Sequence, residues 1–152
     1  MAKNTIVVKG FNEPVREEFV AAAVITPGHL IEQIAAGTVQ AHAVAEGSAE
    51  KMFAVEDDHQ GNDIDDNYSA LDRVQCWIAQ RGDLVYAWLA NGETAVIGSK
   101  LSSNGDGALR VHVPDDSGGI QTEGIIAVAT EAVDMSDSSG ADPGGRIIVR
   151  VI

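Results

Sequence analysis

Glu56 to Asp66 holds the densest set of possible ligand atoms in the chain, with six acidic residues in eleven. Closely spaced carboxylates are what a hard cation such as calcium needs, so the run invites comparison with an EF-hand loop. Counted from Asp63, positions 1, 3 and 5 are Asp63, Asp65 and Asn67, all oxygen donors. Position 6, where the sharp turn needs glycine, is Tyr68, and position 12, where a bidentate glutamate belongs, is Val74. The motif fails. The run reads as a surface loop, solvated or facing a basic patch on a partner, with a cation site of another kind as the lesser alternative.

The other candidate chemistries are weaker. His29, His42, His59 and His112 are dispersed, without the i, i+2 or i, i+4 spacing common in metal sites. No G-x-S-x-G is present, and Asn104-Gly105-Asp106-Gly107 lacks the lysine and following helix of a phosphate loop, so it reads as a hairpin turn. Arg81-Gly82-Asp83 matches an adhesion tripeptide, but it lies between two apolar runs where Gly and Asp serve to turn the chain. Cys76 is the only cysteine and has no internal disulfide partner; mid-run, it reads as a small buried hydrophobe before it reads as a reactive thiol. Trp77 and Trp88 fall on neighbouring expected strands. They could stack a sugar, but such residues more often anchor a core or an interface. The expectation is a binding or structural protein, not an enzyme, with no cofactor and no metal.

The elements that would carry these residues are strands. Asp72 to Val113 contains both tryptophans, and its apolar runs are separated by turn signals at Arg81, Asn91, Ile97 and Asn104, the pattern of consecutive antiparallel strands. Further strands are expected at Asn4 to Lys9, His29 to Ala35, Val39 to Ala43, Lys51 to Glu56, Gly124 to Val133 and Arg146 to Ile152. His29 to Ala43 reads as a hairpin, entered through the turn Thr26-Pro27-Gly28. Asn12-Glu13-Pro14 could cap a short helix, but extended chain through Phe19-Val20 is the preferred reading. Pro114 to Gly119 and Asp134 to Gly145 read as loops. The fold class is therefore all-β: one domain, 13–152, a β-sandwich, jelly-roll-like, or a β-barrel, with an extended N-terminal arm, 1–12, and at most one short helix.

Composition agrees. With 45% hydrophobic and 22% charged residues the chain is globular and not disordered, and 152 residues suffice for a core without disulfides. A net charge of −13 disfavours nucleic acid and anionic membranes as partners and favours a partner with a basic face. No window approaches 18 apolar residues, and the first residues lack the apolar stretch of a secretory signal, so the expectation is a product made in a cytoplasm.

Several stretches together resemble a known family. They are T-P-G-H-L-I-E at Thr26, K-M-F-A-V-E-D-D at Lys51, I-D-D-N-Y at Ile64 and R-G-D-L-V-Y-A-W-L-A at Arg81. I-G-S-K-L-S-S-N-G-D-G-A-L at Ile97, A-T-E-A-V-D at Ala129 and the closing R-I-I-V-R-V-I complete the set. In serial order, over roughly Lys3 to Ile152, they resemble the capsid decoration (cement) proteins of tailed bacteriophages. Ser69-Ala70-Leu71-Asp72 departs from the family pattern, which has glycine before the aspartate; Leu71 is expected to sit in a less strained turn.

The resemblance implies a non-enzymatic virion protein, made in the host cytoplasm and bound to the outer capsid surface. It would sit at junctions between major capsid protein subunits, as a dimer or trimer, and stabilise the shell. Two capsid-facing elements follow. One is the arm, with Lys3, Asn4, Thr5, Ile6, Val7, Val8 and Phe11, which could add a strand to a neighbour's sheet. The other is the acidic loop, with Glu56, Asp57, Asp58, Asp63, Asp65 and Asp66. Trp77 and Trp88 are assigned to the core or a subunit interface. The competing function is a carbohydrate-binding β-sandwich with Trp77 and Trp88 as its platform.

Overall fold

The computed structural model describes residues 3–10, 15–114, 124–137 and 145–152. Every regular element among them is a strand. The strands are β1 (Val7–Lys9), β2 (Val15–Ala21), β3 (Ile31–Ala35), β4 (Thr38–Ala41), β5 (Met52–Val55), β6 (Arg73–Ile78) and β7 (Leu84–Leu89). They continue with β8 (Thr94–Ala95), β9 (Lys100–Ser103), β10 (Leu109–Val111), β11 (Ile125–Ala129), β12 (Val133–Asp134) and β13 (Gly145–Val151). The chain is all-β, as its turn-punctuated apolar runs require.

The strands form two main sheets and one short pair, β12–β8. The first sheet runs β1-β7-β10-β9-β11-β13, and β13 also pairs with β7, which closes five of the strands into a barrel. Closure removes the open edges that would otherwise invite aggregation. Along β7 buried and half-buried residues alternate, so Val85, Ala87 and Leu89 point inward while Tyr86 and Trp88 point outward. Ile147, Val149 and Val151 of β13 complete the wall, fully buried. The second sheet runs β3-β4-β2-β6-β5, with β2 and β4 parallel. The bridge Leu30↔Phe53 brings its two ends together.

The two sheets share a core. Phe53, Val55 and Trp77 belong to strands of the second sheet, yet they pack into the barrel's cluster with Val85, Leu89, Leu101 and Leu109. The opposite faces of those strands, with Met52, Ala54, Val74 and Cys76, build the second cluster with Ile25, Ile31, Val39 and Tyr68. Strands buried on both faces are continuously apolar, and β5 is buried at all four positions.

Three expectations change. Asp72 to Val113 is not one meander: β6 pairs with β2 and β5, whereas β7 pairs with β1, β10 and β13. The turn Gln80–Asp83 hands the chain from one sheet to the other, with Gly82 N donating to Val151 O and Gln80 N to the Asp83 carboxylate. Arg81-Gly82-Asp83 is this turn.

The arm is also not free. Val7 and Lys9 pair with Val85 and Leu84 of the same chain, and Ile6 is fully buried in the barrel cluster. The reason lies on the outer edge of β7, whose amides need acceptors. Tyr86 N donates to Ile6 O (2.9 Å), Trp88 N to Gly28 O (3.3 Å) and Ala90 N to Leu109 O (2.8 Å). Phe11 and the capping candidate Asn12-Glu13-Pro14 lie outside the described residues.

Trp77, third, is wholly buried and cannot serve as an exposed interface or sugar platform. Cys76 beside it is a core residue, its thiol pushed up to about 12 by burial, against a main-chain hydrogen bond at Phe19 that works the other way.

Ile6 offers a direct check on the N-terminal segment. Ile6→Ala should cost about 2–5 kcal/mol in urea unfolding, the usual cost of removing a buried isoleucine side chain. A change below about 0.5 kcal/mol, the size of a surface effect, would mean that the segment is not packed.

Candidate functional site

The sharpest polar construction lies where the barrel, the 26–28 turn and the acidic loop meet. Arg146 faces outward from β13 directly opposite Trp88 on β7. Its guanidinium lies 4.3 Å from the Trp88 ring centroid and 6.0 Å from that of Tyr86. It donates to Asp65 Oδ1 at 2.8 Å, to Pro27 O at 3.3 Å and to Ile64 O. The Arg146 side chain is 8% exposed and that of Asp65 76%, so the arginine is sheathed while its carboxylate partner keeps contact with water. A desolvated cation over an indole contributes about 2 kcal/mol, more than an exposed ion pair supplies. The stack therefore does most of the holding, and Asp65 fixes the register.

Trp88 is fixed from the other side as well. Its indole N–H donates to Pro27 O at 2.8 Å, and the His29 ring meets it edge-on with centroids 6.2 Å apart. Gly28 makes this approach possible: its φ is +96°, and a Cβ there would stand 3.0 Å from Trp88 Cδ1 and 3.1 Å from Tyr86 O. Gly107 serves His29 in the same way, since a Cβ on it would lie 2.8 Å from the imidazole Cγ.

His29 is held neutral. Its Nδ1 accepts from Thr26 N at 3.3 Å, which needs an unprotonated lone pair. Burial pulls its pKa down to about 4; the nearby Asp106 charge opposes this and the Arg146 charge adds to it.

The acidic loop divides into two parts. Glu56 and Asp57 are buried, at 6% and 4% exposure, contrary to a loop wholly in solvent. Glu56 Oε2 accepts from Ile6 N at 3.1 Å, which ties the loop to β1. Asp58, Asp63, Asp65 and Asp66 are exposed, and Asp63 and Asp66 brace the turn by accepting main-chain N–H groups. Among the described residues no group of three His, Cys, Asp or Glu is placed to hold a metal ion.

The structure also joins two stretches that the sequence keeps apart. Lys3 and Asn4 line a recess of about 360 Å³ together with Asp63, Asp65, Tyr86 and Arg146. Thr5, Val7 and Val8 are half-buried beside it in sequence. Trp88 is half-buried, with Arg146 over its ring, so the twin-tryptophan sugar platform does not exist. Sequence reasoning missed Arg146, Tyr86 and His29. The available signal was Arg146 opening a strand whose alternate residues, Ile147 and Val149, are apolar.

A serine–histidine–acid arrangement also occurs. Ser103 Oγ is 2.7 Å from His42 Nδ1, and Glu32 Oε2 is 3.8 Å from His42 Nε2. Ser103 is fully buried and its Oγ accepts from Gly105 N, so it braces the hairpin turn after β9 and offers no accessible nucleophile. On the barrel flank Glu46, at φ 57°, meets Arg110 and His112 at 3.4 and 3.0 Å. Partial burial works against its charge, but the nearby Ser102 hydroxyl, the hydrogen bond with His112 and the charges of His112 and Arg110 hold its carboxyl below the ordinary range. Leu71 is not in a relaxed turn: its φ is 76°, in the left-handed region, and its side chain is 81% exposed.

No family model and no curated protein matches the sequence. Among solved structures, the chain is similar to the head fiber gp8.5 N base of bacteriophage phi29, with a TM-score of 0.56. The likeness covers 92% of this chain and 95% of that one at 12% sequence identity. The fold is shared over nearly the whole of both chains.

The His29 geometry fixes a pH dependence. Its folded-state pKa of about 4 lies below the unfolded value of 6.5, so the unfolded chain binds the proton first as pH falls. Stability should therefore drop between pH 6.5 and 4, by about 3 kcal/mol at most, and His29→Gln should flatten that part of the pH–stability curve. Parallel curves for the two proteins would refute the neutral, buried imidazole.

Proposed function

We propose that this chain is a non-enzymatic structural protein of a tailed-bacteriophage head. In this reading it binds the outer surface at junctions between major capsid protein subunits and stabilises the shell. The single observation that supports it most is the fold shared with a phage head fiber base over more than nine-tenths of both chains. The serial likeness of the sequence to capsid decoration proteins points the same way. The physical character of the chain fits: at −13 it is repelled by packaged DNA and suited to an outer face.

Closed sheets suit such a post. They leave little edge for uncontrolled strand addition, while loops carry the contacts. The acidic loop and the Lys3–Asn4 recess lie on one side of the Arg146 stack, and this is the face we assign to the shell. Contacts of modest strength there, repeated over a lattice and reinforced by dimer or trimer formation, give firm attachment by multivalency.

Binding to heads is the test. Purified protein mixed with expanded heads that lack it should co-sediment with them, and the decorated heads should release DNA at a higher temperature. Asp63→Lys combined with Asp66→Lys reverses charge on exposed side chains and should weaken co-sedimentation about tenfold or more, at a cost of order 1.4 kcal/mol. Protein that stays in the supernatant at every concentration would contradict the proposal.

A further inference from the structure

We propose that a recess anchored by Asp57 receives the cationic head of a lysine or arginine side chain from the protein partner. Asp57 is set in place by its own backbone: its carbonyl accepts the amides of Gln60 and Asn62 at 3.1 and 3.2 Å. The residue is 4% exposed, and among the described residues no hydrogen bond or ion pair reaches its carboxylate. A carboxylate that water reaches only through a narrow opening is poorly solvated, and such groups are normally paired. Asp57 lines a recess of about 320 Å³ with Asn62, Tyr68, Leu71, Asp72 and Arg73. The opening gives a partner's side chain access to the buried charge.

The walls select the ligand. Asp57 and Asp72 carry two negative charges and Arg73 one positive, leaving a single net negative charge, which matches one ammonium or guanidinium. Arg73 is itself engaged outward, 3.2 Å from Glu18. A divalent cation suits the recess poorly, because a guanidinium stands in its wall and, among the described residues, no third acidic ligand is placed to join.

Leu71 completes the fit. A large apolar side chain that is 81% exposed, on a backbone at φ 76°, is unfavourable twice over in the isolated chain. At the rim of the recess it offers an apolar surface to the methylene stem of the incoming residue, as long basic side chains prefer.

The inference takes its partner from the head-surface reading, but its test needs no heads. The 15N-labelled protein is titrated with Nα-acetyl-L-arginine methylamide, with Nα-acetyl-L-norleucine methylamide and with calcium chloride. The arginine probe should give saturable shifts at the amides of residues 57, 62, 68 and 71–73, with millimolar affinity. Asp57→Asn should weaken it about tenfold or more, and the norleucine probe should do nothing. Leu71→Gly, which leaves the core untouched and covers the case where Asp57→Asn disturbs the loop, should weaken it roughly threefold. Absence of saturable shifts with arginine, or an equal or stronger response to calcium chloride, would overturn the proposal. Heads bound normally by protein that ignores arginine would overturn the recess alone, whereas arginine binding without head binding would count against the head-surface reading.

Discussion

The stacking of Arg146 on Trp88 is the contact through which distant parts of this chain become one object. Asp65 lies 81 residues from Arg146 in sequence and Pro27 lies 119 away, yet one guanidinium reaches both. The strands would pair without it. The acidic loop, however, sinks Ile64 into the barrel cluster, and the guanidinium ties that loop and the 26–28 turn to the barrel's outer face. A planar, permanently charged fork that can stack and donate at once suits this junction, and a lysine's point charge would not replace it. Trp88, Gly28 and His29 all take their positions from this junction, and the chemistry of each follows. The indole is covered, the glycine cannot carry a side chain, and the imidazole cannot readily be charged.

The shared core explains why two small sheets are stable together. Phe53, Val55 and Trp77 project from the second sheet into the cluster of the first. Neither sheet buries its apolar side chains alone, and small isolated sheets are marginal in water. The N-terminal strand belongs to the same logic. The barrel's β7 has more edge than β10 covers, and Ile6 and Gly28 supply the missing acceptors. A segment that looks like a free arm in one dimension is thus structural in three.

Much of this was legible in the sequence, and the rest was hidden for identifiable reasons. The alternation in Leu84–Leu89 and the turn glycines mark strands correctly, because period-two burial and positive φ are local requirements. The hairpin Ile31–Ala41 is legible for the same reason. Pairing partners are not local. Nothing in Gln80–Asp83 says that the chain crosses between sheets there, since the same turn would serve a hairpin. The inward placement of Glu56 and Asp57 was invisible because their loop is almost wholly polar in sequence, and the contacts that hold them, Ile6 N on the Glu56 carboxylate and the Gln60 and Asn62 amides on the Asp57 carbonyl, are set by the fold. Leu71 departs from the family pattern, and its sequence context alone suggests a relaxed turn, whereas the backbone keeps a conformation that glycine usually occupies.

A closed, acidic β scaffold attached to the outside of a phage head is the central proposal. A density map of the native head at subnanometre resolution tests that most directly. Attachment as proposed predicts density of this shape, a closed barrel with a second sheet packed on it, on the outer surface at the junctions between capsid subunits, with the acidic loop turned toward the shell. A shell bare at those junctions, or this density lying inside against the DNA, would contradict it.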